Sequence, residues 1–189
     1  LETFLTCRPE RLEQLRSLAD LGATATFKQL TDALHIEYLV QDARKLPLEN
    51  GSIDFIHSNN TFEHIYPEIL LDILREFGRI VRPSGGLQSH FIDLSDHFAH
   101  FDRSITIYNF LRFSPAAWRW IDNSVQPLNR LRITDYRNLF AEAGIPITEE
   151  SLRPGNLDDL KKTPVHASFQ QNTALENAVS HGYFFSKRD

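Results

Sequence analysis

Residues 38–86 constrain this chain most. They alternate short apolar runs with polar turns around one amphipathic stretch. Ile36-Glu37-Tyr38-Leu39-Val40 ends on Gln41-Asp42-Ala43, and Ile53-Asp54-Phe55-Ile56 ends on Ser58-Asn59-Asn60. Residues 67–81 then carry Ile69, Leu70, Ile73, Leu74, Phe77 and Ile80 at helical spacing, with Asp72, Arg75, Glu76 and Arg79 between them. Arg82-Pro83-Ser84-Gly85-Gly86 breaks that pattern before a third run at 87–94. Strands alternating with helices predict an α/β fold built on a mostly parallel sheet. Such sheets bind ligands beyond the carboxyl ends of their strands. The polar residues just past each apolar run are therefore the first candidates for a site.

The same residues resemble consecutive motifs of class I S-adenosylmethionine-dependent methyltransferases. The pieces are Asp42-Ala43-Arg44-Lys45-Leu46-Pro47, Asn50-Gly51-Ser52-Ile53-Asp54-Phe55-Ile56, Phe62-Glu63-His64-Ile65 and Arg79-Ile80-Val81-Arg82-Pro83-Ser84-Gly85-Gly86. The resemblance implies a three-layer, Rossmann-like sheet with helices on both faces and an antiparallel pair at the carboxyl end. It also implies S-adenosylmethionine as cofactor. It places Asp42 and Ala43 at the adenine end of that cofactor and Asn59 near its methionine part. It gives Asp54 a structural role and Pro83-Ser84-Gly85-Gly86 the turn before a strand. It begins at the family's third strand. The glycine-rich loop that follows the family's first strand has no counterpart, because no Gly-x-Gly occurs here. The expectation is one methyltransferase-like domain over 1–189 that lacks its N-terminal strand, loop and helix. Residues 95–128 are expected to form a helical aromatic insertion over the substrate side.

Flanking elements follow from the pattern. Residues 9–21 read as an amphipathic helix on Leu12, Leu15, Leu18 and Ala19, stopped by Gly22. Residues 26–34 read as a short helix with Thr26 as cap, and 35–40 as the first strand. Further helices are expected at 104–111, 115–121 (capped by Ser114), 133–143 and 156–162. Strands are expected at 145–152 and 183–186.

Chemistry concentrates in two places. Glu63-His64 resembles a pair common in the family, and a histidine beside a strand-end pocket can take a substrate proton. The second place runs from His90 to Asp102 and holds three histidines and three aspartates. In a strand over 87–94, His90 and Ile92 share one face while Phe91 and Asp93 share the other. His64, His90, Asp93 and His97 are the catalytic candidates, as bases and an orienting carboxylate. Histidine and aspartate also suit divalent metals, but no recognised ligand spacing appears, so the cluster reads as a substrate-facing loop without metal.

A net charge of -5, from 20 basic and 25 acidic side chains, argues against nucleic-acid binding driven by counterion release. No apolar run is long enough to span a bilayer. The single cysteine, Cys7, forms no internal disulfide, which fits the cytoplasm. The chain starts at Leu1 and contains no methionine, as a fragment or a processed chain would, and the missing glycine-rich loop favours a further N-terminal segment. Together these features point to methyl transfer to a small-molecule or sugar-like acceptor. The alternatives are a noncatalytic methyltransferase-like interaction module and a metal-dependent hydrolase using the histidine–aspartate cluster.

Overall fold

A computed structural model describes residues 9–22 and 24–188. Expectations that rest on Cys7 and on the first residues lie outside them. The chain divides into two compact units, Leu1–Gln41 and Asp42–Asp189.

In the first unit, α1 (Pro9–Leu21) and α2 (Phe27–Ala33) form where the spacing predicts them. Gly22 takes the left-handed conformation (φ 69°) that ends α1. Thr26 and Gln29 bond reciprocally in a capping box at the start of α2. The strand expected at 35–40 is absent. Ile36, Tyr38 and Val40 are 51%, 70% and 80% exposed. An extended segment becomes a strand only by pairing its N–H and C=O groups with a neighbour. No described strand pairs with this one.

The second unit is built on a four-stranded sheet in the order β1-β2-β4-β3. The strands are β1 (Phe55–Asn59), β2 (Leu87–Asp93), β3 (Glu149–Arg153) and β4 (His181–Lys187). β1 runs parallel to β2, β4 lies antiparallel to β2, and β3 is antiparallel to β4. The α/β class and the late antiparallel pair are as the sequence pattern and the resemblance imply, but among the described strands only the β1–β2 pairing is parallel, where a mostly parallel sheet is expected. Its crossover helix, α3 (Pro67–Ile80), carries proline at its first turn, where the missing N–H costs nothing.

α3 and α5 (Ile133–Glu142) pack on one face of the sheet. Leu70, Leu74, Tyr136 and Phe140 meet Ile92 and Phe184 there, in the main core. The opposite face bears a ladder of rings, with Phe91 close to both His181 and Tyr183. At the far end of α3, Arg79 donates to the carbonyls of Leu46 and Leu48, and Glu76 accepts from the N–H of Leu46. These bonds fasten the 46–50 loop to the helix. Asp54 is exposed and pairs with Arg82.

Residues 95–128 form a second core around Tyr108, Phe110, Leu111 and Trp118. α4 (Pro115–Ile121) is capped by Ser114, as its sequence predicts. The helix expected at 104–111 does not form, and only a 3-10 turn closes, at Asn109–Arg112. Asp102 accepts from the N–H of Ser104, and Thr106 accepts from that of Tyr108. Side chains that bond the local backbone in this way compete with helix. Two short helices, α6 (Leu157–Lys161) and α7 (Ala174–Ala178), complete the unit. No described helix is long and apolar enough to cross a membrane.

Candidate functional site

The site lies where β1 and β2 end and β4 begins. Asn60 takes a left-handed conformation (φ 48°) and donates to the Phe91 carbonyl, which turns the chain out of β1. A 3-10 turn, Phe62–His64, follows at once. Asn129 holds it: its amide donates to the Phe62 and Ile65 carbonyls, and its backbone N–H donates to the Glu63 carbonyl. The turn drives Glu63 inward until it is 2% exposed.

Asp93 ends β2, and its carboxylate accepts from the N–H of Ser95 at 2.8 Å. Asp96 then caps the turn His97–His100, which folds His97 back so that its Nε2 lies 3.4 Å from Asp93 Oδ2. Register does the rest. Asp93 faces His181 in the β2–β4 pair, and His181 Nε2 lies 3.4 Å from Asp93 Oδ1. One carboxylate is thus flanked by two imidazoles.

His64 closes the group, with its ring 5.0 Å from that of His97. Its Nδ1 is 2.7 Å from the Pro127 carbonyl. A carbonyl can only accept, so Nδ1 carries a proton, and in the neutral ring the lone pair is on Nε2.

The electrostatics follow from burial and from these contacts. Burial would raise Asp93, but the contacts with His97, Ser95 and His181 outweigh it and hold the acid at about 2. His97 is raised, first by Asp93 and against the effect of burial. Glu63 is pushed up to about 7 by burial, and its carboxylate oxygens have no hydrogen-bond partner. The amides of Glu63 itself and of Asp93 lie close enough to soften that rise. They make no hydrogen bond of ordinary geometry.

The fold therefore brings together His64, Asp93 and His97, but not His90. His90 is on the helix-covered face, fully buried, stacked on Phe62 at 4.5 Å and hydrogen-bonded to Ser58 at 2.8 Å. Burial lowers it to about 3, so it stays neutral in the core. Asn59 ends β1 exposed. Asp42 is exposed and held at about 2 by the Arg44 side chain, which binds both of its oxygens. It also accepts from the Arg44 N–H, as a turn-forming aspartate does. No hydrogen bond or ion pair joins Asp42 to Asn59 or to the histidine group. Ala43 beside it is half-buried.

Two members of the cluster carry no sequence signal of their own. Glu63 looked like the companion of His64 rather than a functional group. His181 lies far along the chain and joins only through strand register.

Beside His97 opens a cavity of about 140 Å³, lined largely by Phe98, Phe101, Val125 and Leu128. Asn123 and Gln126 add polar groups at its wall.

Residues 16–88 match the family model described as a methyltransferase domain. Over that stretch the chain resembles a methyltransferase domain, and its sheet has the fold of solved methyltransferases. Solved structures agree. Geranyl diphosphate C-methyltransferase from Streptomyces coelicolor A3(2) superposes with a TM-score of 0.52 at 10% identity, over 86% of this chain and 58% of its own. The 1,6-didemethyltoxoflavin-N1-methyltransferase of Burkholderia thailandensis gives 0.51 at 11% identity, over 89% and 58%. Both structures contain S-adenosylhomocysteine. The chain spans just under three fifths of each of these enzymes. No curated protein sequence matches it.

Proposed function

We propose that this protein transfers a methyl group from S-adenosylmethionine to a small-molecule or sugar-like acceptor. One observation carries the proposal: His64, Asp93 and His97 converge past the carboxyl ends of β1 and β2, in a chain with a methyltransferase-domain match. Ligands bind at that end of an open α/β sheet. The mostly apolar cavity beside His97 suits a small organic acceptor. The superposed enzymes are named for small molecules, geranyl diphosphate and 1,6-didemethyltoxoflavin.

S-adenosylmethionine supplies a methyl carbon on a positively charged sulfur, and the carbon–sulfur electron pair returns to sulfur as the acceptor's lone pair forms the new bond. The chain's residues align the acceptor and remove its proton. The neutral form of His97 takes that proton on Nδ1 while its Nε2–H faces Asp93, and the Asp93 anion stabilises the imidazolium that results. The lone pair of His64 Nε2 offers a second proton acceptor on the same side. His90, sealed in the core, takes no part. Alignment supplies most of the remaining acceleration.

Asp42, Ala43 and Asn59 are the residues that would hold the cofactor. Their chemistry fits: an exposed anion, a half-buried backbone and an exposed amide, all able to bond an adenine or an amino-acid group. Asp42 would first release Arg44, and exposed ion pairs of this kind open easily. The net charge of -5 and the single cysteine support a cytoplasmic protein that does not bind nucleic acid.

The saturation of Asp42 by Arg44 favours a second reading, a noncatalytic methyltransferase-like module. Calorimetric titration of the full-length protein with S-adenosylmethionine and S-adenosylhomocysteine separates the two. Binding of both, with methyl transfer lost in His97→Ala, is the expected result. No binding overturns the enzyme in favour of the module.

A further inference from the structure

We propose that Glu63, His64 and His97 form a binding site for a divalent transition-metal ion of the zinc type. Each offers one ligand atom, and the three atoms lie within 4.8 Å of one another. The ligand set of two histidines and one glutamate is one that zinc takes with a fourth position left open. Ligands around a tetrahedral zinc ion stand about 3.4 Å apart, so the side chains would draw in by roughly an ångström on loading.

Three independent features point to a ligand. Glu63 is 98% buried, and both of its carboxylate oxygens lack a hydrogen-bond partner. A buried carboxylate in that state is costly unless it is neutralised or coordinates a cation. His97 Nε2 is likewise buried, and it makes no hydrogen bond of ordinary geometry, its polar contact being the 3.4 Å approach to Asp93. Finally, His64 donates from Nδ1 to the Pro127 carbonyl at 2.7 Å. Metal-binding histidines are held this way: an outer partner fixes the tautomer and leaves the other nitrogen free to ligate.

Asp93 borders the site. Its distance of 3.4 Å from His97 Nε2 equals the spacing of two ligands on one ion, so it would serve as a further ligand, the ion becoming five-coordinate once the open position is filled. The fold explains why spacing along the sequence gave no metal motif. Glu63 and His64 come from the turn after β1 and His97 from the turn after β2, and only the parallel β1–β2 pair brings them together.

The site stands whether or not the protein transfers methyl groups. If it does, the two forms would use the cluster differently. Without metal, His97 Nε2–H faces Asp93 and the other ring nitrogen accepts the proton of the acceptor. With metal, Nε2 is occupied and the open position would hold an acceptor oxygen beside the apolar cavity.

The test uses the full-length protein, stripped with a chelator and then titrated with Co²⁺ in the absence of S-adenosylmethionine or acceptor. One ion per chain is expected, with a visible d–d band of tetrahedral character, displaced by Zn²⁺. Glu63→Gln, His64→Ala and His97→Ala should each weaken Co²⁺ binding by more than about 100-fold, and Asp93→Asn by about 10–100-fold. His35→Ala, in the first unit, should change nothing. Circular dichroism checks folding. If Glu63→Gln unfolds, the half-exposed His64→Ala decides the matter. The inference is overturned if Co²⁺ binds below one equivalent, or if His64→Ala and His97→Ala bind it as tightly as the parent. Because the readout involves no methyl donor, its failure leaves the methyl-transfer proposal untouched, and the converse also holds.

Discussion

Arg132 and Glu63, two of the ionisable groups buried among the described residues, are treated in opposite ways. Arg132 has no exposed surface, yet its guanidinium donates to the carbonyls of Leu94 at 2.6 Å, Asn177 at 2.8 Å and Val179 at 2.6 Å. Those carbonyls mark the end of β2 and the approach to β4. Burial lowers Arg132 to about 10, which still leaves it charged at neutral pH. Glu63 is buried almost as deeply, and its carboxylate oxygens have no hydrogen-bond partner. Buried polar groups are normally satisfied, and those that are not call for an explanation. The arginine is part of the scaffold, clamping the strand ends. The carboxylate faces a group of imidazoles and has chemistry left to give. Arg132 Nε is buried without a partner too, but both terminal nitrogens of the guanidinium are bonded, whereas neither oxygen of the carboxylate is.

The contrast is broken most directly at Arg132. Arg132→Met leaves three buried carbonyls without a donor and should cost about 3–5 kcal/mol of stability. Chemical denaturation measures this, and a loss below about 1 kcal/mol would mean that the clamp is dispensable. Next comes His97→Ala, which should leave the fold intact and lower methyl transfer by about 10²–10⁴-fold, the usual worth of a positioned base. A variant that retains activity removes His97 from the chemistry.

Glu63 gives a pH signature. Its folded value of about 7 lies above the ordinary 4.5, so the folded state holds a proton that the unfolded state releases between those values. Stability therefore falls as pH rises from about 4.5 to 7. Glu63→Gln should remove that slope, a relative gain of roughly 2–3 kcal/mol at pH 7 in chelator-treated protein. Asp93 acts in the opposite sense. Its value of about 2 means that the stability it contributes is lost only as pH falls below about 4. Parallel slopes for Glu63→Gln and the parent would show that Glu63 is ionised throughout.

The smallest effect belongs to a third kind of charge, satisfied at the surface. Arg44→Ala should leave the melting temperature unchanged, because exposed ion pairs contribute little. It should tighten S-adenosylmethionine binding a few-fold by freeing Asp42. Weaker binding would instead give Arg44 a part in holding the cofactor.

Local signals were legible wherever they act on near neighbours. The caps at Thr26 and Ser114, the proline that opens α3 and the glycine that ends α1 all appear where the chain predicts them. The face rule for β2 also holds, since His90 and Ile92 share the helix-covered side. It did not reveal that this side is sealed, and so it promoted His90 beside Asp93. Residues 36–40 have the composition of a strand but no described partner, and composition cannot supply one. Helix fails at 104–108 because aspartate and threonine side chains bond the backbone first.

The sequence alone determined the α/β class, the order of its later elements and the motif that carries Glu63-His64. Those depend on periodicity and on contacts a few residues apart. Only the tertiary structure decided that Asp93 lies between His97 and His181, and that Glu63 is buried without a partner. Both depend on strand register and on what packs above a turn, which are set by residues distant along the chain.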